Sequence, residues 1–393
     1  MPYILKQKTL NSPGIITFTH NEALYGLPKN SKKVKEFLIN SHEKGEWIYG
    51  THVQGDLSSI DSFSLEEWQS FIMWPDKKAH FLKNVPEDKI LDLNCINFMP
   101  VILAKYPFQE KMWDITIVSR ASEIKRITPT LLLVKKLFEI RPHLKVNFIV
   151  PDLRQIKFGE KSYSIQRIDR NYFEWPKKIF TSLQLKNISF ISSSQFSFGN
   201  FPLSEELMMD IVSKSKFLML NSHSEGVPRV IAEAFLLGTP CIVSKNLKTP
   251  LSVYFNEKSV LPIEDDENFA AITINEALDN YRDYKIDREY FAKIFSESEH
   301  KELLKEWLIK KLQQLDHTVE GNWFFDDLHL NLACHGQKFF SQLTHNEKLF
   351  FDWFDRVSSL QKYDEDKLFD PTFTIDEEKT GFFKQFMNFF IKQ

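Results

Sequence analysis

Cysteine is scarce in this sequence of 393 residues. The three cysteines, Cys95, Cys241 and Cys334, lie far apart and lack the spacing of metal ligands. A disulfide framework needs paired cysteines and an oxidising compartment, so we expect these to be reduced, buried thiols in a cytoplasmic protein.

Neither an excess of one charge nor a long apolar run is present. The 50 basic and 53 acidic residues give a net charge of −3, which does not favour a general nucleic-acid binder. No window has the uninterrupted apolar length of a membrane span, and the first residues lack the pattern of a signal peptide. We therefore expect a soluble cytoplasmic protein, with peripheral contact at the inner face of the membrane as the alternative.

Phenylalanine, by contrast, is abundant, with 36 residues. Five of them lie in the tail 381–393 together with two lysines. This tail fits either a helix on a membrane surface or a helix docked on the body of the protein. Residues 364–379 are acidic and interrupted by Pro371, which is typical of a loop or linker.

The most informative stretch runs from Ser224 to Ser244. The apolar run Phe217–Leu220 predicts a buried strand before it, and Cys241–Val243 predicts a second strand at its end. Between them, a polar turn is followed by a helix that is predicted to begin with Pro228 as its first residue. This order indicates a strand, a helix and a parallel strand.

Backbone amides are expected to face solvent where this helix begins. The N–H groups of Val227, Arg229 and Val230 precede the helical hydrogen bonds, and the N-terminus of a helix is a ready site for an anion. Gly226 is expected to let the backbone turn tightly and to let a ligand approach. Phosphate oxygens suit such a site.

Two glutamates flank these amides. Either Glu225 or Glu233 alone is better explained as a solvated residue of an ordinary βαβ unit. Together they form Glu-Gly-x-Pro, then seven residues between the glutamates, then Glu-Ala-x-x-x-Gly-x-Pro. This pattern resembles that of the family 4 retaining glycosyltransferases, which have the two-domain GT-B fold.

The resemblance implies roles for individual residues. Glu225 would bond the hydroxyls of a donor sugar, and Glu233 those of the ribose. The segment after Glu225 would hold the sugar or the diphosphate of a nucleotide sugar. Besides Glu233, the substrate-binding residues implied in this way are Ser224, Gly226, Val227, Pro228 and Arg229.

A second part of the resemblance lies after the apolar strand 114–119. The family places an arginine directly after this strand and a lysine five residues later, and both reach the diphosphate. Arg120 and Lys125 match these positions, whereas Ser119 and Arg126 stand where glycines are common. Cations are needed here because the leaving diphosphate gains negative charge as the glycosidic bond breaks. A basic loop that merely caps the sheet is the alternative.

Alternation of strand and helix beyond residue 113 predicts an α/β fold with parallel strands. We expect two Rossmann-like domains in a GT-B arrangement: a reduced acceptor-side domain (1–105), a donor domain (106–284) and a helical C-terminal extension (285–393). In the first domain, the pattern predicts strands at 14–18 and 46–49 and helices at 31–42 and 65–73.

The first domain is shorter than the family norm. Its usual glycine-rich loop is absent, and only Tyr25–Pro28 occupies a comparable place. We expect part of 285–393 to pack against this domain and to help build the acceptor side of the cleft. His20 is the preferred candidate for orienting the acceptor because it follows the first strand of 14–18. An ordinary surface or core histidine is the alternative.

The sequence thus predicts a retaining glycosyltransferase that moves a sugar from a nucleotide diphosphate sugar to a glycan or lipid-linked acceptor, in surface polysaccharide assembly. Neither a metal nor a cofactor is expected, since no Asp-x-Asp pair is placed beside a diphosphate. Arg120, Lys125 and Glu225 would carry catalysis. The alternatives are a catalytically silent GT-B-like subunit and, among enzymes, an epimerase or a phosphorylase.

Overall fold

The computed structural model describes residues 2–20, 22–23, 31–52, 63–119, 125–150, 155–158, 161–164, 178–192, 203–332 and 347–359. The protein is an α/β structure with two mainly parallel sheets. Among the described helices, none combines the length and the apolar composition needed to span a membrane.

The first sheet contains five strands in sequential order. The first strand is antiparallel to the second, and the others are parallel. Helix α1 (Lys32–Glu43) connects two of them, and the hydroxyl of Ser31 caps it by accepting from the N–H of Val34. The strands are β1 (Tyr3–Lys6), β2 (Gly14–Thr19), β3 (Trp47–His52), β4 (Phe71–Met73) and β5 (Ile90–Leu91).

The helix expected at 65–73 is wrong. The residues from Trp68 to Met73 are buried on all sides rather than along one face, and the N–H of Ser70 bonds the Tyr49 carbonyl at 2.7 Å. The segment ends as strand β4, where the Phe71 ring lies directly over Gly50; a Cβ at Gly50 would stand 2.0 Å from that ring. Pairing with β3 therefore overrides the helical spacing of the apolar residues.

The second sheet has six parallel strands. They are β6 (Trp113–Val118), β7 (Val146–Val150), β10 (Ile188–Ser192), β11 (Ser215–Leu220), β12 (Cys241–Ser244) and β13 (Val260–Ile263), while β8 (Gln155–Phe158) and β9 (Lys161–Ser164) form a separate antiparallel pair. The helices of this half are α2 (Ile127–Ile140), α3 (Ser182–Leu185), α4 (Glu205–Ser213), α5 (Arg229–Leu237) and α6 (Glu267–Asp279).

Strand order in the second sheet identifies where a ligand would bind. The order is β10-β7-β6-β11-β12-β13. After β6 the chain adds β7 and β10 on one side, and it then returns to add β11, β12 and β13 on the other side. In open α/β sheets ligands bind beyond the carboxyl ends of the strands at such a switch point. The described strands of the first sheet follow one another from β2 to β5 without a switch. The crevice between β6 and β11 is therefore the natural site.

The C-terminal segment packs against the first sheet, as the sequence predicted. It contains α7 (Arg288–Ile294), α8 (Glu297–Gln314), α9 (Leu328–Asn331) and α10 (Glu347–Ser358). The ring of Phe354 meets that of Phe37 at 4.8 Å between centroids, and Trp307 meets Phe71 at 5.5 Å. This segment also covers the edge of β1, because the N–H of Phe324 bonds the Leu5 carbonyl at 3.0 Å.

One hydrophobic cluster joins the first sheet, the C-terminal helices and helix α5. The rings of Phe235 on α5 and Phe291 on α7 lie 4.5 Å apart between centroids. Helix α5, which carries the glutamate motif, is thereby anchored to both halves of the molecule.

Two buried histidines lie at the carboxyl end of the first sheet. His20 follows β2 and is 4% exposed, and its ring meets Trp74 edge-on at 6.1 Å. His52 ends β3, and its Nδ1 lies 2.9 Å from the Thr17 hydroxyl. Burial lowers the pKa of His20 to about 4 and that of His52 well below its usual value.

We expect this protein to lose stability below neutral pH through His20. Its unfolded pKa of 6.5 exceeds the folded value, so the stabilisation is complete above pH 6.5 and is lost as the pH falls toward 4. Between pH 7 and pH 5 the loss from this residue is about 2 kcal/mol in the free energy of unfolding. Urea unfolding at both pH values measures it. His20→Gln should show a smaller pH dependence, and an unchanged dependence in that variant would contradict this assignment.

Candidate functional site

A lysine and a glutamate meet at the switch point of the second sheet. The ammonium group of Lys125, in the connection after β6, contacts both carboxylate oxygens of Glu225, in the connection after β11. The Glu225 side chain is 8% exposed and that of Lys125 is 25% exposed. Lys125 and Glu225 are 100 positions apart in the sequence, yet they lie in one site.

The loop that carries Glu225 is fastened to the connection after β12. The N–H of Glu225 bonds the Lys248 carbonyl at 2.9 Å, and the N–H of Lys248 bonds the His223 carbonyl at 2.8 Å. Ser224 pairs with Lys248 in the same β-bridge, and the Thr249 hydroxyl donates to the Gly226 carbonyl at 3.1 Å. Gly226 is not among the described glycines with positive φ, so its turn does not use the left-handed region. This network fixes the position of the carboxylate.

Helix α5 begins one residue later than expected. Pro228 is its N-cap, with φ −71° and ψ 92°, and Arg229 is the first helical residue. The earliest hydrogen bond of the helix runs from the N–H of Ile231 to the Pro228 carbonyl at 2.9 Å. The amides of Arg229 and Val230 therefore precede the helical hydrogen bonds, in the position that suits an anion.

The second glutamate of the motif pairs with an arginine. The Nε of Arg229 donates to Glu233 at 2.8 Å, and its Nη1 donates to the His329 carbonyl of the C-terminal segment at 3.4 Å. Burial alone would lower the pKa of Arg229, but Glu233, Cys95 and Glu205 together raise that pKa above its ordinary value. The side chain of Arg229 thus faces Glu233 and His329. Sequence reasoning missed this link, because residues 100 positions away show no common pattern.

A second cluster beside the site was also missed. Hydrogen bonds to Asp265, which follows β13, come from His223 Nε2 at 2.8 Å, from Asn246 at 2.6 Å and from Arg126. Arg126 also contacts the His223 ring. Partial burial would raise the pKa of Asp265, but these bonds lower it to about 2. The one feature of the sequence that pointed to this cluster was Arg126, which stands at a position where a glycine is common.

Several predicted features lie outside the described residues. They are Arg120, the Tyr25–Pro28 loop, Cys334 and the tail 381–393. Cys95 and Cys241 are free and buried, and burial raises the pKa of the Cys95 thiol to about 11. Among the described residues, no three His, Cys, Asp or Glu side chains are grouped so as to hold a metal ion.

No protein-family model and no curated protein sequence matches this chain. Several solved structures are partly similar to this one. TarM of S. aureus is 14% identical with a TM-score of 0.47, over 70% of this chain and 52% of TarM. The pneumococcal O-GlcNAc transferase GtfA, solved with UDP and GlcNAc, is 14% identical with a TM-score of 0.47, over 72% of this chain and 56% of GtfA. This chain spans about half the length of these two proteins.

Another similar structure is closer in length. HepE of Anabaena, solved with UDP and glucose, is 14% identical with a TM-score of 0.45, over 71% of this chain and 76% of HepE. At these identities and TM-scores the likeness to all three structures is partial.

Proposed function

We propose that this protein is a glycosyltransferase of GT-B architecture. It transfers a sugar from a nucleotide diphosphate sugar to an acceptor hydroxyl, with retention at the anomeric carbon and without a metal ion. The observation that carries the proposal is the Lys125–Glu225 pair at the switch point, beside the first amides of helix α5. The spacing of the two glutamates supports the family 4 type. The resemblance to that family, rather than any contact in the structure, favours a hexosyl donor and a glycan or lipid-linked acceptor in surface glycan assembly.

In this proposal the charges of the site match the charges of the donor. The diphosphate lies between Lys125 and the amides of Arg229 and Val230, which stabilise the negative charge of the leaving group. Glu225 turns to the hydroxyls of the sugar when its ammonium partner engages the phosphate. Glu233 accepts from the ribose while Arg229 fixes its orientation. Arg120 supplies a second cation. The acceptor hydroxyl attacks the anomeric carbon on the face from which the diphosphate leaves, so the configuration is retained, and the departing phosphate accepts the hydroxyl proton.

A catalytically silent, nucleotide-sugar-binding subunit is the second candidate. Both glutamates of the motif are ion-paired, Glu225 with Lys125 and Glu233 with Arg229. A binding protein needs these side chains only to hold a donor, whereas an enzyme must also bring an acceptor to the bound sugar and release the products. The two candidates differ in turnover and agree in donor binding.

One experiment tests both. A thermal-shift screen of nucleotide sugars should find a donor, and the protein should then hydrolyse or transfer its sugar. Glu233→Ala should weaken donor affinity ten- to a hundredfold in calorimetry, since a charge-assisted hydrogen bond is worth ~1.5–3 kcal/mol. Binding without turnover in any acceptor extract favours the silent subunit. Failure to bind any nucleotide sugar, or unchanged affinity in Glu233→Ala, would count against the site.

A further inference from the structure

Helices α2 and α6 are joined at both ends by an arginine and an aspartate. At the C-terminal end, Arg141 contacts Asp279 and donates to Asn275 Oδ1 at 3.0 Å. At the N-terminal end, Arg126 contacts Asp265. The two contacts are alike in chemistry, but only the second lies at the carboxyl edge of the sheet, beside the Lys125–Glu225 pair.

Arg126 has an unusual backbone conformation. Its φ of 50° and ψ of 43° are left-handed, a region that costs an ordinary residue free energy and that glycine enters readily. The carbonyl of Arg126 accepts from the N–H of Thr130 at 3.0 Å and from its hydroxyl at 2.9 Å, which begins helix α2. A strained residue at this place needs a compensating interaction, and the side chain supplies it through Asp265 and His223.

We propose that Arg126 is a positioning residue for Lys125. This inference rests on the proposed function and deepens it. By binding Asp265 and the His223 ring, the Arg126 side chain fixes the backbone immediately after Lys125 and so places the lysine ammonium where the diphosphate binds. His223 lies two residues before Glu225, so the same contact also aligns the loop that carries this carboxylate.

The rival role for Arg126 is that of a direct phosphate ligand. The two roles predict opposite effects on ligand binding when Asp265 is neutralised. If Arg126 bound phosphate itself, Asp265 would compete with the ligand, and its neutralisation would tighten binding. If Arg126 acts through Lys125, neutralising Asp265 frees the guanidinium, loosens the backbone and weakens binding. Since hydrogen bonds hold the pKa of Asp265 at about 2, this carboxylate is ionised at neutral pH.

The test measures the affinity of the full chain for inorganic pyrophosphate by calorimetry. Arg126→Gly removes the side chain but accommodates the left-handed backbone, and we expect about tenfold weaker binding, the scale of one charge-assisted contact. Asp265→Asn should weaken binding in the same direction. Arg141→Ala is the matched control, because it removes the equivalent contact at the far end of the two helices; it should lower thermal stability and leave pyrophosphate affinity unchanged.

A double variant tests whether Arg126 acts through its neighbour. Arg126→Gly in a Lys125→Ala background should cause no further loss, since coupled residues are not additive. Tighter binding in Asp265→Asn, parent-like binding in Arg126→Gly, an additive double variant, or equal losses in Arg126→Gly and Arg141→Ala would each overturn the positioning role. Failure of the unaltered protein to bind pyrophosphate or any nucleoside diphosphate would overturn the proposed function, and this inference with it.

Discussion

Lys125→Ala should lower the rate of sugar transfer about a hundredfold. Its ammonium group contacts Glu225 at the switch point. In the proposed function this group stabilises the charge that the leaving diphosphate gains. A lost contact to the transition state of this kind costs ~3 kcal/mol. The effect is measured as the initial rate of nucleoside diphosphate release at saturating donor.

Two further variants make this result specific. Lys136→Ala removes a lysine of helix α2, the helix that follows Lys125. Lys136 pairs with Glu139 at 3.1 Å on the exposed surface, and this variant should transfer at the parent rate. Glu225→Gln should also lose transfer, but it should bind pyrophosphate at least as well as the parent, because Lys125 no longer has a competing anion. Parent-like transfer in Lys125→Ala, or equally weak pyrophosphate binding in both site variants, would contradict the roles given to the pair.

Phe354→Ala should destabilise the protein by about 3–5 kcal/mol, the usual cost of removing a buried phenylalanine side chain. Phe354, on helix α10, is 4% exposed, and its ring lies 4.8 Å from that of Phe37 and 5.3 Å from that of Trp47. The lost free energy is a large share of the stability of a typical domain. Urea unfolding followed by tryptophan fluorescence measures it.

Phe269→Ala is the matched control for this change. Phe269 lies on helix α6 and is 67% exposed, so its replacement should alter the free energy of unfolding by less than ~0.5 kcal/mol. Equal effects of the two changes would mean that the C-terminal helix contributes no more to the core than the surface does. A large effect of Phe354→Ala alone would show that helix α10 contributes to the packing around the first sheet.

Local sequence was enough to predict the strand and the helix that carry the glutamate motif. The run Phe217–Leu220 and the helix that follows it are continuous apolar or amphipathic segments, whose type depends on their own periodicity. The observed strand Ser215–Leu220 and helix Arg229–Leu237 agree with those expectations to within two residues. Glu225 and Glu233 could be singled out as candidates because both lie in one short, continuous motif, whose pattern can be read from neighbouring residues alone.

The same reasoning failed at 65–73, where tertiary packing decided the outcome. Leu65–Met73 has helical spacing, yet Phe71–Met73 is needed to extend the first sheet and is buried on both faces. Hydrogen bonds to a neighbouring strand depend on residues that are distant in sequence, so no local pattern reports them.

The sequence by itself determined that the chain has an alternating α/β half with two glutamates and cations placed after its strands. Only the tertiary structure decided which charges meet. The order of the strands brings Lys125 to Glu225, and the C-terminal segment brings His329 to Arg229, which holds Glu233. Likewise Arg126 binds Asp265 across 139 positions. Such pairings follow from how the strands and helices are packed, which a linear pattern of residues does not contain.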